Sequence, residues 1–200
     1  MKLSMTSVFT NEHEKVFNIA DGSTHIGRVT VEKISKKMDP VIYGYIGESI
    51  YSLEPLVNKD ITVRKDSYYG YNADGIHLGT FYNAHKSLGF MSYFSFTAVK
   101  IGPRVYYLYR CMKDCIHYML YYDEYQDGSM DHVGEIVIDD TTAPSYSLYF
   151  KNPVYMELLI MLAAHSYVWE IRGGYKLHTS KKAAEHLESF FEPDFVQECL

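Results

Sequence analysis

The chain has 200 residues, a formal net charge of −6 and a hydrophobic fraction of 47%, so it is long enough to bury a core as one domain. Its 20 Tyr and 10 Phe favour sheet, because aromatic side chains suit half-buried pleated surfaces. Residues 101–200 carry 8 Lys and Arg against 15 Asp and Glu, a balance that argues against nucleic acid as a partner.

Short apolar and aromatic runs separated by turn residues predict antiparallel strands joined as sequential hairpins. Val29 and Val31 alternate with polar residues, which is the period of a strand with one buried and one solvent-exposed face. The segment 72–75, Asn-Ala-Asp-Gly, predicts a tight hairpin turn, because Asn, Asp and Gly tolerate a positive φ. The predicted strands are 26–34, 41–52, 61–65, 68–71, 76–82, 90–100, 104–112, 115–122, 133–138 and 145–150.

After residue 150 the spacing of apolar residues changes from the pattern of a strand to that of a helix. Asn152 can cap a helix that has Pro153 in its first position, and the apolar run that follows predicts a helix over 153–170. This helix has almost no polar face, so it must be enclosed on nearly every side. A sheet that curls into a barrel can enclose it. A second, amphipathic helix is predicted over 180–191, on the exterior or at an interface.

We therefore predict a mainly β fold in a single domain, 1–200. Residues 20–170 are expected to form an antiparallel closed β-barrel, or a strongly curled sheet, that encloses the apolar helix. Residues 175–200 are expected to form a C-terminal helical extension.

The order of many strands followed by one apolar, enclosed helix resembles the tubby-like superfamily, which includes tubby C-terminal domains, phospholipid scramblases and the LURP-one-related proteins. The similar segments are 26–34, 75–82, 133–138 and 149–168, in pattern more than in identity. The resemblance implies a closed barrel threaded by the helix. It also implies a family in which many members bind membranes or phosphoinositides and many small ones have no established activity.

Cys111, Cys115 and Cys199 are an odd number of cysteines, which favours free thiols in a reducing compartment. Cys111 and Cys115 with His117 form a conceivable soft metal site, because thiolate and imidazole suit zinc. Structural zinc needs four ligands, however, and no second pair lies at finger or ribbon spacing. Ordinary buried thiols are the favoured interpretation, and no cofactor or metal is predicted.

Two apolar segments bear on localisation. Residues 1–10 lack the apolar stretch of a secretory signal. Residues 154–169 are apolar but number only 16 and include Glu157, whereas a membrane-spanning helix needs about 20 apolar residues. The expectation is a soluble, cytoplasmic protein that is not transmembrane.

The acidic segment 123–131 invites a calcium interpretation, but Tyr125 and Gly134 occupy positions where an EF-hand loop needs oxygen ligands. A solvated hairpin loop is favoured. The nine histidines are scattered; His165, within the enclosed helix, is expected to be a neutral imidazole that donates to a strand carbonyl. Nucleophile-elbow and phosphate-loop motifs are absent from the sequence. Their absence favours a non-enzymatic role but leaves catalysis open, because catalytic residues can come from distant positions.

Two basic groups are candidate binding residues for a phosphate or an anionic lipid head group: Lys33, Lys36 and Lys37, and the pair Arg64 and Lys65. Lysines at strand ends also prevent aggregation between sheet edges, which is the commoner role. The tyrosine runs around 68–71, 106–109 and 118–125 could line a ring-binding surface, but packing is favoured.

The leading hypothesis is a non-catalytic binding domain whose ligand is a protein partner or an anionic lipid. One alternative is a small-molecule carrier or small enzyme with an open, Tyr-lined cavity. Another is an acidic protein that interacts with a host or phage partner. Occupancy of the barrel interior separates the first two, because a plugged barrel leaves no large internal cavity. The oligomeric state is not predicted.

Overall fold

A computed structural model describes residues 1–32, 40–55, 67–89, 92–110, 117–123, 130–171 and 194–199. Several sequence-based predictions fall outside these ranges. They are the binding candidates Lys33, Lys36, Lys37, Arg64 and Lys65, the strand 61–65, the helix 180–191 and the thiols Cys111 and Cys115.

The described residues form twelve strands and two helices. The strands are β1 (Lys2–Thr10), β2 (Glu14–Asp21), β3 (Thr24–Glu32), β4 (Val41–Ile46), β5 (Ser49–Pro55), β6 (Ser67–Asn72), β7 (His77–Gly89), β8 (Ser92–Ile101), β9 (Arg104–Arg110), β10 (His117–Asp123), β11 (Asp131–Asp140) and β12 (Ser145–Phe150). A 3-10 turn (Pro153–Tyr155) leads into α1 (Met156–Ile171), and α2 (Phe195–Cys199) follows near the C-terminus.

Each strand pairs antiparallel with its neighbours in the chain, and β1 pairs with β12 to close the barrel. The closing register sets Lys2 opposite Tyr149 and Thr6 opposite Ser145. The predicted mainly β, antiparallel closed barrel is therefore confirmed. Closure leaves the strands without a free edge, which removes the usual template for pairing with other chains.

The barrel differs from the prediction at two places. It begins at Lys2 rather than near residue 20, because β1 and β2 belong to it. The predicted strand 41–52 is two strands, since Gly47 takes a φ of 57° and reverses the chain between β4 and β5. The predicted turn at 72–75 is confirmed, with Gly75 at a φ of 72°.

Helix α1 lies inside the barrel, as predicted. The Asn152 side chain accepts a hydrogen bond from the amide of Val154 at 3.0 Å, and Pro153 opens the 3-10 turn that precedes the helix. The helical residues 159–164 are all buried and belong to the same apolar cluster as the inward-facing strand residues. Burial on all sides explains why this helix can dispense with a polar face.

Gly44 of β4 and Gly134 of β11 have no side chain and so leave room for the side chains of the helix. A Cβ on Gly44 of β4 would lie 2.6 Å from Sδ of Met161, and one on Gly134 of β11 would lie 3.1 Å from Cδ1 of Leu159. The backbone of α1 comes closest to β3, β4, β11 and β12. The other half of the interior is filled by larger side chains of β6 to β10, including the buried rings of Tyr68, Phe81, Tyr106 and Tyr118.

We expect Gly44→Leu to destabilise the fold by about 1–3 kcal/mol, because the added side chain overpacks the contact with Met161. Urea denaturation measures the change. Met161→Ala opens space at the same contact. The double variant should therefore be destabilised by less than the sum of the two single-variant losses of stability. Val8→Leu, at an exposed position of β1, is the control and should leave stability unchanged. Full additivity of the two costs would contradict this packing.

Helix α2 packs on the outer surface of the barrel. Phe195 is buried against Tyr149 of β12, and its ring stacks on that of His132 with centroids 3.8 Å apart. Lys151 pairs with Glu198 at 2.5 Å. No helix within the described ranges is long and apolar enough to cross a membrane.

Candidate functional site

The candidate site lies at the end of the barrel where α1 enters, which we call the entry end. The turns between β4 and β5, β6 and β7, and β8 and β9 lie at this end. A cleft of about 290 Å³ opens there between β5, β6, β7 and the first turns of α1. Its lining consists of Tyr51, Ser52, Leu53, Gly70, Tyr71, Leu78, Gly79, Phe81, Ile101, Val154, Glu157, Leu158 and Met161.

Side-chain size explains why the cleft opens on this side of the mouth. On the β9 and β10 side, the rings of Tyr106 and Tyr122 stack with centroids 5.0 Å apart, and Tyr155 meets Tyr106 edge-on at 6.3 Å. On the β6 side Gly70 contributes no side chain, and an added Cβ would lie 3.3 Å from both Leu53 and Phe81. The aromatic cluster fills one half of the mouth and leaves the other open.

One polar pair lies in this apolar cleft. The Tyr51 hydroxyl donates a hydrogen bond to Oε2 of Glu157, in the first turn of α1, at 2.5 Å. Burial, together with the hydrogen bond to Glu157, raises the pKa of Tyr51, so the phenol stays protonated and continues to donate. The pair fixes the Glu157 carboxylate at the wall of the cleft.

A second cavity of about 350 Å³, here called the outer cavity, adjoins the cleft. It shares Tyr51, Ser52 and Tyr71 with the cleft and is otherwise lined by Tyr43, Ile50, Glu54, Asn72, Ala73 and Gly75. The turn at its edge is well ordered by hydrogen bonds, because Oδ1 of Asn72 accepts from the amides of Asp74 and Ile76 at 3.1 and 2.9 Å. The two cavities therefore share one wall.

Exposed apolar side chains concentrate around these two cavities. Nine large apolar or aromatic side chains in the described part of the chain are exposed. Three of them, Ile50, Leu78 and Val154, line the cavities, and three more, Tyr45, Tyr69 and Ile76, contact or pair with lining residues. Val154 and Ile76 are the most exposed, at 62% and 58%. We call the six the rim patch: Tyr45, Ile50, Tyr69, Ile76, Leu78 and Val154. Exposed apolar residues clustered in this way are typical of an interaction surface.

The structure does not test the predicted basic site. Lys33, Lys36, Lys37, Arg64 and Lys65 lie outside the described residues. The strand ends that flank them, at Glu32, Val41, Pro55 and Ser67, lie at the end of the barrel opposite the entry end.

Two other titratable residues that the sequence singles out, His117 and Cys199, lie outside the cleft and pack against other residues of the protein. His117 contacts the carboxylate of the fully buried Glu135, on the outer side of the barrel. Cys199 is a buried free thiol whose pKa is raised by burial. Over the ranges that the structure describes, no three His, Cys, Asp or Glu side chains are placed to hold a metal ion.

His165 differs in detail from the expectation. It is buried in α1, with the ring of Tyr68 edge-on at 5.3 Å and that of Phe81 at 6.1 Å. Its Nδ1 finds no hydrogen-bond partner among the described residues, rather than donating to a strand carbonyl. Desolvation lowers the pKa of His165 to about 4, so the imidazole is neutral at pH 7, as the sequence suggests.

Sequence reasoning identified Tyr71 within a tyrosine run but missed Tyr51 and Glu157 as partners. The pair joins residues 106 positions apart, so no local spacing shows it. One signal was present: Glu157 is an acidic residue in the first turn of α1, directly before the apolar run 158–164. Such a carboxylate requires either a partner or an opening to water.

Comparisons with known protein families, with curated proteins and with solved structures found no match to this chain.

Proposed function

We propose that this chain is a cytoplasmic, non-catalytic binding domain that recognises a protein partner through the cleft at the entry end. The observation that carries the proposal is the concentration of exposed apolar side chains, the rim patch, around two adjoining cavities. Covering such a patch removes apolar area from water, which stabilises association by about 25 cal/mol per Å². The buried free thiol of Cys199 agrees with a reducing compartment.

The shape of the site favours a protein partner over an enclosed small molecule. Helix α1 fills the barrel interior, so the cavity that a carrier would use is occupied by Leu159, Leu162 and their neighbours. The cleft has about the volume at which small-molecule sites begin, roughly 300 Å³, and it opens to the surface. It fits one large apolar side chain of a partner, while the rim patch contacts the surrounding segment.

The tubby-like resemblance remains a proposal. The closed barrel around an apolar helix is the arrangement that this resemblance implies, and it supports the resemblance. An anionic lipid is a poor fit for the cleft and the outer cavity, because two carboxylates, Glu54 and Glu157, line them and Lys and Arg are absent from their described linings. Lipid binding through Lys33, Lys36 and Lys37 stays a separate prediction.

Selection of a phage-displayed peptide library on the purified chain tests the proposed function. We expect enriched peptides to carry a large apolar residue and to lose at least tenfold in affinity for the double variant Leu78→Asn/Val154→Asn. The variant removes apolar contacts worth about 1.4 kcal/mol or more, the equivalent of tenfold. Asn adds no charge, so electrostatic attraction cannot replace the lost contacts.

The matched control is Val8→Asn/Phe9→Asn, which changes two similarly exposed apolar residues on β1, away from the cleft. Peptide affinity should be unchanged by it. The proposal fails if no peptide is enriched, or if the enriched peptides bind both double variants equally well.

A further inference from the structure

The lining of the outer cavity includes three tyrosines and a carboxylate. Tyr43, Tyr51 and Tyr71 line it together with Glu54. The face of an aromatic ring attracts a cation within about 6 Å, and several rings combined with a carboxylate form the usual surroundings of a bound guanidinium or ammonium group. A cavity of about 350 Å³ has room for such a group and the methylenes that carry it.

The electrostatic environment of the cavity is negative. Burial raises the pKa of Tyr43, and the charges of Glu32 and Glu54 raise it further. Ionisation of the phenol is disfavoured because these carboxylates already place negative charge near its ring. The same field stabilises a cation that enters the cavity.

No basic side chain of the chain itself neutralises this cavity in the described ranges. Among the described residues, the lining contains no Lys, Arg or His, and the exposed Glu54 forms no ion pair with them. A cation already lies over a tyrosine ring on the neighbouring surface. Arg28 of β3 places its guanidinium carbon 5.1 Å from the ring centroid of Tyr45, which pairs with Ile50 at the edge of the cavity.

We propose that the outer cavity binds a cationic side chain, Arg or Lys, of the partner segment whose apolar residue occupies the cleft. Tyr51, Ser52 and Tyr71 form a wall common to both cavities, so the two groups are held side by side. Residues i and i+2 of an extended segment point to the same side, and a segment with an apolar and a basic residue at that spacing would fill both cavities. This assignment of partner chemistry rests on the proposed function.

Titration of the 15N-labelled chain with methylguanidinium chloride, followed by NMR at constant ionic strength, tests the cation site directly. Saturable shift changes are expected at 43–54 and 69–76. Methylurea has nearly the same shape but no charge, and its apparent affinity should be at least fivefold weaker. Raising the salt concentration should weaken methylguanidinium binding, because the carboxylate contribution is screened.

Glu54→Gln should weaken methylguanidinium binding at least threefold, and Tyr71→Leu should weaken it by as much or more. Glu48→Gln removes a nearby exposed carboxylate that does not line the cavity, and it should leave binding unchanged. Glu54 is exposed, so its variant tests the site even if Tyr71→Leu disturbs the fold.

Equal binding of methylurea, or an unchanged affinity of the Glu54→Gln chain, would overturn the cation site. That failure is distinct from failure of the proposed function. Peptides that bind the cleft in the phage experiment while methylguanidinium does not saturate the outer cavity would leave the binding domain standing and remove only the cationic partner residue.

Discussion

A Leu162→Asp substitution is expected to leave the chain unfolded. Leu162 is fully buried in α1, inside the barrel. Removing a buried leucine side chain costs about 2–5 kcal/mol, and burying an unpaired carboxylate adds several more. Domains of this kind have a total stability of about 5–15 kcal/mol, so the combined cost is comparable to the whole.

Loss of near-UV circular dichroism and of amide shift dispersion would report the unfolding. Leu162→Ala, which creates a cavity without a charge, should remain folded with a lower melting temperature. Val154→Asp places the same charge just before α1, at a position 62% exposed, and should melt like the wild type. A folded Leu162→Asp chain with unchanged melting would contradict the enclosed position of α1.

The second large effect is a loss of stability in acid that depends on His165. Burial holds the pKa of His165 at about 4, below the ordinary value of 6.5. Above pH 6.5 the imidazole is neutral in both folded and unfolded chains and has no effect. As the pH falls from 6.5 towards 4, the unfolded chain takes up a proton that the folded chain excludes, so the free energy of unfolding decreases.

We expect this loss to reach about 2 kcal/mol at pH 5 and about 3 kcal/mol below pH 4. Urea denaturation gives the free energy of unfolding at pH 7 and at pH 5. The decrease in this free energy between the two pH values should be smaller by about 2 kcal/mol in His165→Leu than in the wild type. His132, whose pKa burial also lowers to about 4, acts equally in both chains. His13→Gln, at an exposed position, should behave as the wild type, and an equal decrease in His165→Leu would remove the assigned role.

The sequence predicted those parts of the fold that depend on local chemistry. Asn152 and Pro153 mark the start of the helical segment, and the absence of a polar face places α1 inside the barrel. The boundaries of β12 agree with the predicted strand 145–150. These features depend on residues close together in the chain, so their periodicity and capping chemistry are visible without a structure.

Other parts depend on contacts that the sequence does not display. β1 is rich in polar and exposed residues, with Leu3 and Met5 as its buried pair, so its apolar alternation is short. The β4–β5 turn at Gly47 interrupts a run that otherwise has the composition of one strand. The cleft arises from the combination of Gly70, Glu157 and Tyr51 on three separate elements, which only the closed barrel brings together.

The pairing of β1 with β12 has a consequence for synthesis of the chain. Every other strand pair joins neighbours in the sequence, so those hairpins can form as they emerge. β1 must wait for residues 145–150, which follow it after roughly 7–30 s at about 5–20 residues per second. Until then the outer edge of β1 is unpaired and accessible to other nascent chains, and α1 is made only after all twelve strands have been synthesised.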